Sequence, residues 1–122
     1  MKIDFIADTN IIIYILEGND FIKPFLDFTF GISIISEIEL LGYKDLSINN
    51  EEILKILISD CFRFNIDDKI KNNTIDLRKK YNIKLPDAVI AATSLSFSLP
   101  LITADKTFSQ IKEIDLILLD IK

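Results

Sequence analysis

Short, almost wholly apolar segments alternate with longer helical segments, and this alternation constrains the fold more than any other feature of the sequence. Strands separated by helices indicate βαβ units, whose strands run parallel. The sequence therefore predicts a three-layer α/β/α sandwich with a four- to five-stranded, mainly parallel sheet, formed by a single domain over residues 1–122. Its five strands are expected in the apolar runs at residues 2–7, 30–35, 62–66, 101–103 and 116–119.

The segments between these runs have helical spacing of their apolar residues. In the charged segment at residues 67–82, Ile70, Ile75 and Leu77 are expected to face inward. Pro86 suits the start of a helix, because its missing N–H is not needed there. Helices are predicted at residues 9–17, 20–28, 36–42, 50–60, 67–82 and 86–99, and a helical turn is predicted from Asp105.

The composition removes several common types of active site. The chain has no histidine, which excludes a Ser-His-Asp or Cys-His relay and an HExxH zinc helix. Its one cysteine, Cys61, cannot form an internal disulfide or a cysteine zinc cluster, and three scattered glycines cannot form a Walker loop. The abundant functional groups that remain for catalysis are the carboxylates of 19 Asp and Glu residues. Carboxylates bind hard cations such as Mg²⁺ and Mn²⁺.

A cytoplasmic protein without a membrane span is expected. The longest uncharged run, residues 88–104, contains Pro100 and falls short of the ~20 apolar residues that a spanning helix needs. Asp4 and Asp8 interrupt the first apolar stretch, which argues against a signal peptide.

Four acidic residues are placed to meet at one edge of the predicted sheet. Asp8 and Asp105 follow the first and fourth strands, Glu39 lies one helical turn after the second, and Asp87 begins the helix that leads into the fourth. Parallel strands place their carboxyl ends, where ligands bind, at the same edge. Carboxylates gathered there repel one another, and a divalent cation removes that repulsion. The pattern predicts a Mg²⁺ or Mn²⁺ site.

Each of these acids also has an ordinary structural explanation. Asp8 and Asp105 could be N-caps that accept backbone hydrogen bonds. Ser36 and Glu39 have the S-x-x-E spacing of a capping box, and Asp87 could be a first-turn acid that favours the helix dipole. Capping alone explains less easily why all four acids arrive at one edge.

Nearby polar residues could support the acids. Asn10 and Thr103 could hydrogen-bond the carboxylates, although polar residues at strand ends are equally often structural. Glu37 is a poor substitute for Glu39, because a separation of two residues on a helix turns the side chain by about 200°. Only one of these two glutamates can face the crevice.

Positive charge is concentrated just before Asp87. Residues 67–84 contain six Lys or Arg against three Asp, in a chain of net charge −5. Arg78 and Lys84, together with Lys106, could bind phosphates of a nucleic acid, or could be ordinary solvated side chains.

Four segments resemble the motifs of the PIN-domain family, in the same order and spacing. Asp8-Thr9-Asn10 resembles its opening D-T-N motif. Residues 34–41 resemble the second motif, in which a functional glutamate precedes the leucines; that glutamate maps onto Glu39. Residues 85–92 resemble the third motif, and residues 103–108 resemble the fourth.

The resemblance implies a metal-dependent ribonuclease with Asp8, Glu39, Asp87 and Asp105 as its catalytic and metal-binding residues and Mg²⁺ or Mn²⁺ as its cofactor. A chain of this size looks most like the VapC-type toxins of type II toxin–antitoxin systems. That likeness further implies an RNA substrate, a cognate antitoxin and a cytoplasmic homodimer.

Three other functions fit parts of the sequence. A non-catalytic module could keep the fold and bind RNA or a protein. A phospho-accepting receiver domain would use an Asp after the third strand, where Asp67 and Asp68 stand, but Asp8 lacks an adjacent acidic partner. A haloacid-dehalogenase-type phosphatase needs D-x-D after the first strand, and Asn10 stands at the second acidic position.

Overall fold

The structure, a computed structural model, describes residues 2–121 and contains five strands and five α-helices in that range. The strands are β1 (Phe5–Ala7), β2 (Phe30–Ser33), β3 (Phe62–Phe64), β4 (Leu101–Thr103) and β5 (Leu116–Leu118). The helices are α1 (Thr9–Leu16), α2 (Ile34–Leu41), α3 (Ile48–Ser59), α4 (Asp68–Lys80) and α5 (Leu85–Phe97), and short 3₁₀ helices occur at Lys23–Phe25 and Lys106–Gln110.

The five strands form one parallel sheet in the order β3-β2-β1-β4-β5, as the sequence predicts. In the central strand, Ile6 is in register with Gly31 of β2 and with Leu101 of β4. The chain builds outward from β1 through β2 and β3, then returns to β4 on the other side of β1. The order of strands therefore switches between β1 and β4, and a crevice opens beyond their carboxyl ends.

Helices cover both faces of the sheet, which gives the predicted three layers. Successive strand residues point to opposite faces, so Ile6 packs with α4 and α5 while Ala7 packs with α1 and α3. Each face has its own core of buried side chains, and almost every residue of β1, β2 and β4 is buried. None of the helices in the described part of the chain has the length and apolar character needed to cross a bilayer.

The second helix begins earlier than the sequence predicts. The apolar run at residues 30–35 is strand only to Ser33, whose hydroxyl caps α2 by accepting the N–H of Ile35 at 3.1 Å. The prediction that Ser36 starts this helix is therefore wrong, and Ser36 lies fully buried within its first turns. Ile34 and Ile35 suit either structure, so the serine that caps the helix decides where the strand ends.

Three other predicted boundaries or faces are wrong. β1 begins at Phe5 rather than at residue 2, and only Lys23–Phe25 of the predicted helix at 20–28 is helical. In α4 the buried stripe is Ile70, Thr74 and Leu77, and Ile75 is 46% exposed. Thr74 replaces an apolar residue there because its hydroxyl donates to the carbonyl of Ile70, at 2.7 Å.

We expect Gly31→Ala to lower the free energy of unfolding by about 1–3 kcal/mol, the usual effect of overpacking a core. A Cβ at this position would stand 2.5 Å from Cε2 of Phe64 and 3.1 Å from Cδ1 of Ile6. Urea denaturation measures the change, and Asn72→Ala, on the exposed face of α4, is the control. Equal stability of the Gly31 variant and the wild type would contradict this account of how β1, β2 and β3 pack.

Candidate metal centre

Asp8 lies at the carboxyl end of the central strand with its side chain almost completely buried, at 5% exposure. Its Oδ1 accepts the N–H of Thr9 at 2.8 Å, and its Oδ2 accepts the hydroxyl of Thr103 at 2.7 Å. Burial raises the pKa of this carboxyl, the two hydrogen bonds lower it, and the charges of Asp87 and Asp105 raise it, so that the pKa lies at about 6. Asp8 caps α1, but an N-cap residue needs neither a buried side chain nor other acidic side chains beside it.

Asp105 stands next to Asp8 across the switch between β1 and β4. Its backbone N–H donates to Oγ1 of Thr103 at 3.0 Å, so one threonine joins the backbone of Asp105 to the carboxylate of Asp8. The Oδ1 of Asp105 accepts the N–H of Thr107 at 2.9 Å and also the Thr107 hydroxyl, which caps the 3₁₀ helix at Lys106–Gln110. Asp105 is therefore an N-cap residue through its Oδ1 atom, as the structural explanation suggests.

Glu39 reaches the same crevice from α2. Its Oε1 accepts the hydroxyl of Thr9 at 2.9 Å, and the Thr9 oxygen is also 2.9 Å from the hydroxyl of Ser36. Because Thr9 has one hydroxyl proton, Ser36 must donate to Thr9 when Thr9 donates to Glu39. The capping box proposed for Ser36 and Glu39 is absent, since Ser36 is not the cap. As predicted, Glu37 points away, and it pairs with Arg63 at 3.0 Å.

Asp87 lies half-buried in the first turn of α5, facing the other acids. Its pKa is raised by burial and then by the negative charges of Asp105 and Glu39, while the positive charge of Lys84 lowers it. Asp87 and Asp105 thus affect Asp8, and Asp105 and Glu39 affect Asp87, although the four acids predicted from the sequence come from four separate segments of the chain.

The donor set suits a hard divalent cation. All four side chains offer carboxylate oxygens, and the pKa values of Asp8 and Asp87 are raised first by burial and then by the charges of neighbouring carboxylates. Within residues 2–121, no three acidic or cysteine side chains stand close enough together to form a ready-made cage for a metal. Mg²⁺ does not require one, because it commonly uses one or two carboxylates and takes its other ligands from water and phosphate.

The other residues singled out in the sequence occupy different places. Thr103 hydrogen-bonds Asp8, whereas Asn10 is exposed on α1, and none of the side-chain hydrogen bonds described for residues 2–121 involves it. Arg78 and Lys84 line an open groove of about 460 Å³ together with Asp87 and Asp105. Lys106 is exposed at the start of its 3₁₀ helix and does not line that groove.

Two residues of the site were not recognised from the sequence as its members. Thr9 and Ser36 form the hydroxyl pair that reaches Glu39, yet the sequence suggests only a helix start for Ser36. The signal that could have found Ser36 is the spacing of three between Ser33, Ser36 and Glu39. It places a second serine on the helix face that carries the glutamate.

Comparison with known proteins identifies close similarity to one family. The profile of the PIN domain matches residues 5–114. A chain of a toxin–antitoxin complex from Klebsiella pneumoniae is 30% identical, with a TM-score of 0.80 over 93% of this chain and 96% of that one. No curated protein sequence matches the chain.

Two further solved structures share the fold at lower identity. A chain of VapBC2 from Rickettsia felis, bound to a DNA fragment from its promoter, has a TM-score of 0.85 at 22% identity, over 97% of this chain and 100% of that one. A chain of DNA-bound VapBC from Salmonella typhimurium has a TM-score of 0.84 at 21% identity, over 95% and 98% of the two chains.

The buried charge of Asp8 predicts a characteristic dependence of stability on pH. The native state holds the Asp8 proton more tightly than the unfolded chain, whose ordinary pKa is 3.8, so the stability that this proton provides is lost as pH rises through about 6. In chelator, we expect the stability of wild type relative to Asp8→Asn to fall by about 2 kcal/mol between about pH 4.5 and about pH 7.5.

Urea denaturation of both proteins at the two pH values measures this difference. Asp27→Asn is the control, because Asp27 precedes β2 at the opposite edge of the sheet and its replacement removes the same charge. A difference between wild type and Asp8→Asn that does not change with pH would show that Asp8 is not a buried, uncompensated carboxyl.

Proposed function

The chain belongs to the PIN domain family, and on this premise we propose that it is a Mg²⁺- or Mn²⁺-dependent endoribonuclease, the toxin of a type II toxin–antitoxin pair. The observation that supports the proposal is the electrostatic interaction of acids near the switch between β1 and β4, where Asp8 is affected by Asp87 and Asp105, and Asp87 by Asp105 and Glu39. These four carboxylates are the proposed catalytic and metal-binding residues.

The chemistry of the crevice suits hydrolysis of a phosphodiester. When bound, Mg²⁺ would neutralise phosphate charge and lower the pKa of a water for attack on phosphorus. The carboxylates would hold the cation, and one of them could accept the proton of the attacking water, so the proposed mechanism does not require a histidine. Thr103 and Thr9 hold Asp8 and Glu39 in place.

Positive side chains beside the acids would bind the RNA backbone. Arg78 and Lys84 line the groove that contains Asp87, and Lys106 is exposed next to Asp105. Guanidinium and ammonium groups attract phosphate at any sequence, so these contacts would position the strand without specifying its bases.

We expect wild-type protein to cleave RNA in Mg²⁺ or Mn²⁺ and to lose this activity in chelator. Asp8→Asn and Asp87→Asn should each reduce the cleavage rate at least about 100-fold, since even outer-sphere changes at metal sites reduce activity 10- to 100-fold. Gel analysis of labelled RNA measures the rates.

Asp27→Asn is again the matched control and should cleave RNA at the wild-type rate. Equal rates of RNA cleavage with and without chelator, or by wild type and all variants, would contradict the nuclease proposal. Absence of both cleavage and Mn²⁺ binding would favour the alternative, a non-catalytic module that binds RNA or a protein.

A partner protein completes the proposed toxin role, and a groove next to Glu39 offers it a surface. We call this surface the apolar groove; it holds about 620 Å³ between α1, α2 and α3, and its lining includes Ile13, Leu40, Leu54, Tyr43 and Glu39. A segment seated there with apolar side chains and one cation would fill the groove and cover Glu39. The similar chains from Klebsiella, Rickettsia and Salmonella were solved in complexes described as toxin–antitoxin or VapBC.

Truncating Tyr43, which is 63% exposed at the apolar groove, should weaken the antitoxin complex about 10-fold or more, because exposed aromatic residues dominate such interfaces. Calorimetry of Tyr43→Ala with the proposed antitoxin tests the prediction. Ile56→Ala, equally exposed but on the outer side of α3, should bind like wild type. Equal affinity of both variants would show that the partner does not bind in this groove.

Self-association and a cytoplasmic location also stay predictions, carried by the family resemblance alone. Light scattering of the isolated chain and of its complex would test the homodimer.

A further inference from the structure

A single hydrogen bond is described for the side chain of Glu39 within residues 2–121. Its carboxylate is exposed, and its described partner is the hydroxyl of Thr9. None of the ion pairs described for the same residues involves Glu39. A long, exposed side chain has much rotamer freedom to lose when it is fixed, so the position of this carboxylate depends strongly on that one hydroxyl.

The hydroxyl of Thr9 has two polar neighbours and one proton. Its oxygen lies 2.9 Å from Oε1 of Glu39 and 2.9 Å from Oγ of Ser36. A carboxylate can only accept, so Thr9 donates its proton to Glu39, and the hydroxyl of Ser36 then donates to Thr9. The three groups form a chain with one direction, from Ser36 through Thr9 to Glu39, which we call the hydroxyl chain.

The hydroxyl of Ser36 bonds to another helix rather than to its own. Hydroxyl groups inside helices can donate to the carbonyl four residues earlier, as Thr74 does to Ile70 at 2.7 Å. Ser36 is fully buried in α2, and the hydrogen bond described for its side chain crosses to Thr9 in α1 instead. The buried hydroxyl therefore serves the residue that holds Glu39.

The spacing of Ser36 and Glu39 along α2 allows both to meet one residue of α1. They are three residues apart, and side chains at this spacing are neighbours on a helix surface. Ser36 is buried and Glu39 is exposed, so this face of α2 runs from the interior to the crevice. A residue without contact with solvent can in this way act on an exposed carboxylate.

Thr9 also contacts the buried acid of the crevice. Its backbone N–H donates to Oδ1 of Asp8 at 2.8 Å, while its hydroxyl donates to Glu39. The same residue therefore contacts two of the proposed metal ligands. Hydrogen bonds that orient a metal ligand strengthen metal binding, because the ligand is in place before the cation arrives.

We propose that Ser36 is a positioning residue for the metal centre: through Thr9, its buried hydroxyl holds the carboxylate of Glu39 where it binds the cation. Ser36 itself touches neither the cation nor the RNA. The proposal rests on the proposed metal-dependent ribonuclease function, which it deepens by extending the centre to a buried residue of α2.

A purely structural role of Ser36, joining α1 to α2, predicts a loss of stability without a specific loss of metal binding. Ser96 provides a matched control for this role. It is a buried serine near the end of α5 that accepts the amide of Asn73, in α4, at 2.8 Å, whereas Asp87 lies in the first turn of α5. Ser96→Ala thus removes a buried interhelical hydroxyl away from the acids.

The test is calorimetry of Mn²⁺ binding, without RNA, to wild type, Ser36→Ala, Thr9→Val, the double variant and Ser96→Ala. Valine keeps the shape of threonine and the N–H that Asp8 accepts, but it lacks the hydroxyl. Thr9→Ser keeps the hydroxyl and is the conservative variant. Urea denaturation of each protein in chelator measures the change in stability separately from the change in metal affinity.

We expect Ser36→Ala to weaken Mn²⁺ binding about 10-fold, the lower end of the effect of removing a hydrogen-bond partner at a metal site. Thr9→Val should weaken it at least as much, and the double variant should bind like Thr9→Val, because the hydroxyl chain is already broken. Thr9→Ser should retain most of the affinity. Ser96→Ala should lose stability and bind Mn²⁺ like wild type.

Two further measurements keep the proposal testable if Ser36→Ala folds poorly or binds too weakly to measure. Ser36→Cys is similar in size but a weaker donor, so it should bind Mn²⁺ with an affinity between those of wild type and Thr9→Val. RNA cleavage by Ser36→Cys should be reduced at low Mn²⁺ and recover at high Mn²⁺, with KM for RNA unchanged.

The results that would overturn the proposal are distinct from those that would overturn the proposed function. If wild type binds Mn²⁺ and the Ser36 variants bind it equally well, or if the effects of Ser36→Ala and Thr9→Val add, Ser36 does not act through Thr9 and the ribonuclease proposal stands. An equal loss of affinity in Ser96→Ala would make the effect a general one. If wild type neither binds Mn²⁺ nor cleaves RNA, both proposals fail.

Discussion

The buried carboxylate of Asp8 is the constraint around which the crevice is built. It stands at the carboxyl end of the central strand, where neighbouring strands leave little room for water. Two hydrogen bonds to its oxygens lower its pKa, yet burial, together with the charges of Asp87 and Asp105, raises it to about 6. A charge kept in such a place needs a balancing cation, and the adjacent carboxylates offer further oxygen ligands for one.

Hydroxyl groups connect this carboxylate to its neighbours. Thr103 accepts from the backbone of Asp105 and donates to Asp8, while Thr9 donates its N–H to Asp8 and its hydroxyl to Glu39. Two threonines thus connect three acids, of which one follows β1, one follows β4 and one lies in α2. Because the register of β1 with β4 is fixed by their ladder, the spacing of the acids follows from the packing of the sheet.

The sequence predicted the parts of this arrangement that follow from strand ends. Alternating apolar and helical segments imply a parallel sheet, and acids placed just after its strands must share an edge, so Asp8 and Asp105 could be placed together without coordinates. The sequence could not show that Ser33 rather than Ser36 caps α2, because both serines precede a run that suits a helix. The prediction that Ile75 faces inward was also wrong. Thr74 takes the buried position instead, because its hydroxyl bonds to the backbone of its own helix, and the residue type alone does not reveal that bond.

Two grooves meet at these carboxylates: Arg78 and Lys84 line the one that contains Asp87, and mainly apolar residues line the one that contains Glu39. The central claim is that these carboxylates hold a divalent cation. Crystals grown with Mn²⁺ test it most directly through anomalous scattering at the manganese edge. The account predicts a peak between the carboxylates of Asp8 and Asp87 that is absent from Asp8→Asn crystals. A peak that lies elsewhere, or that persists in the variant, would contradict it.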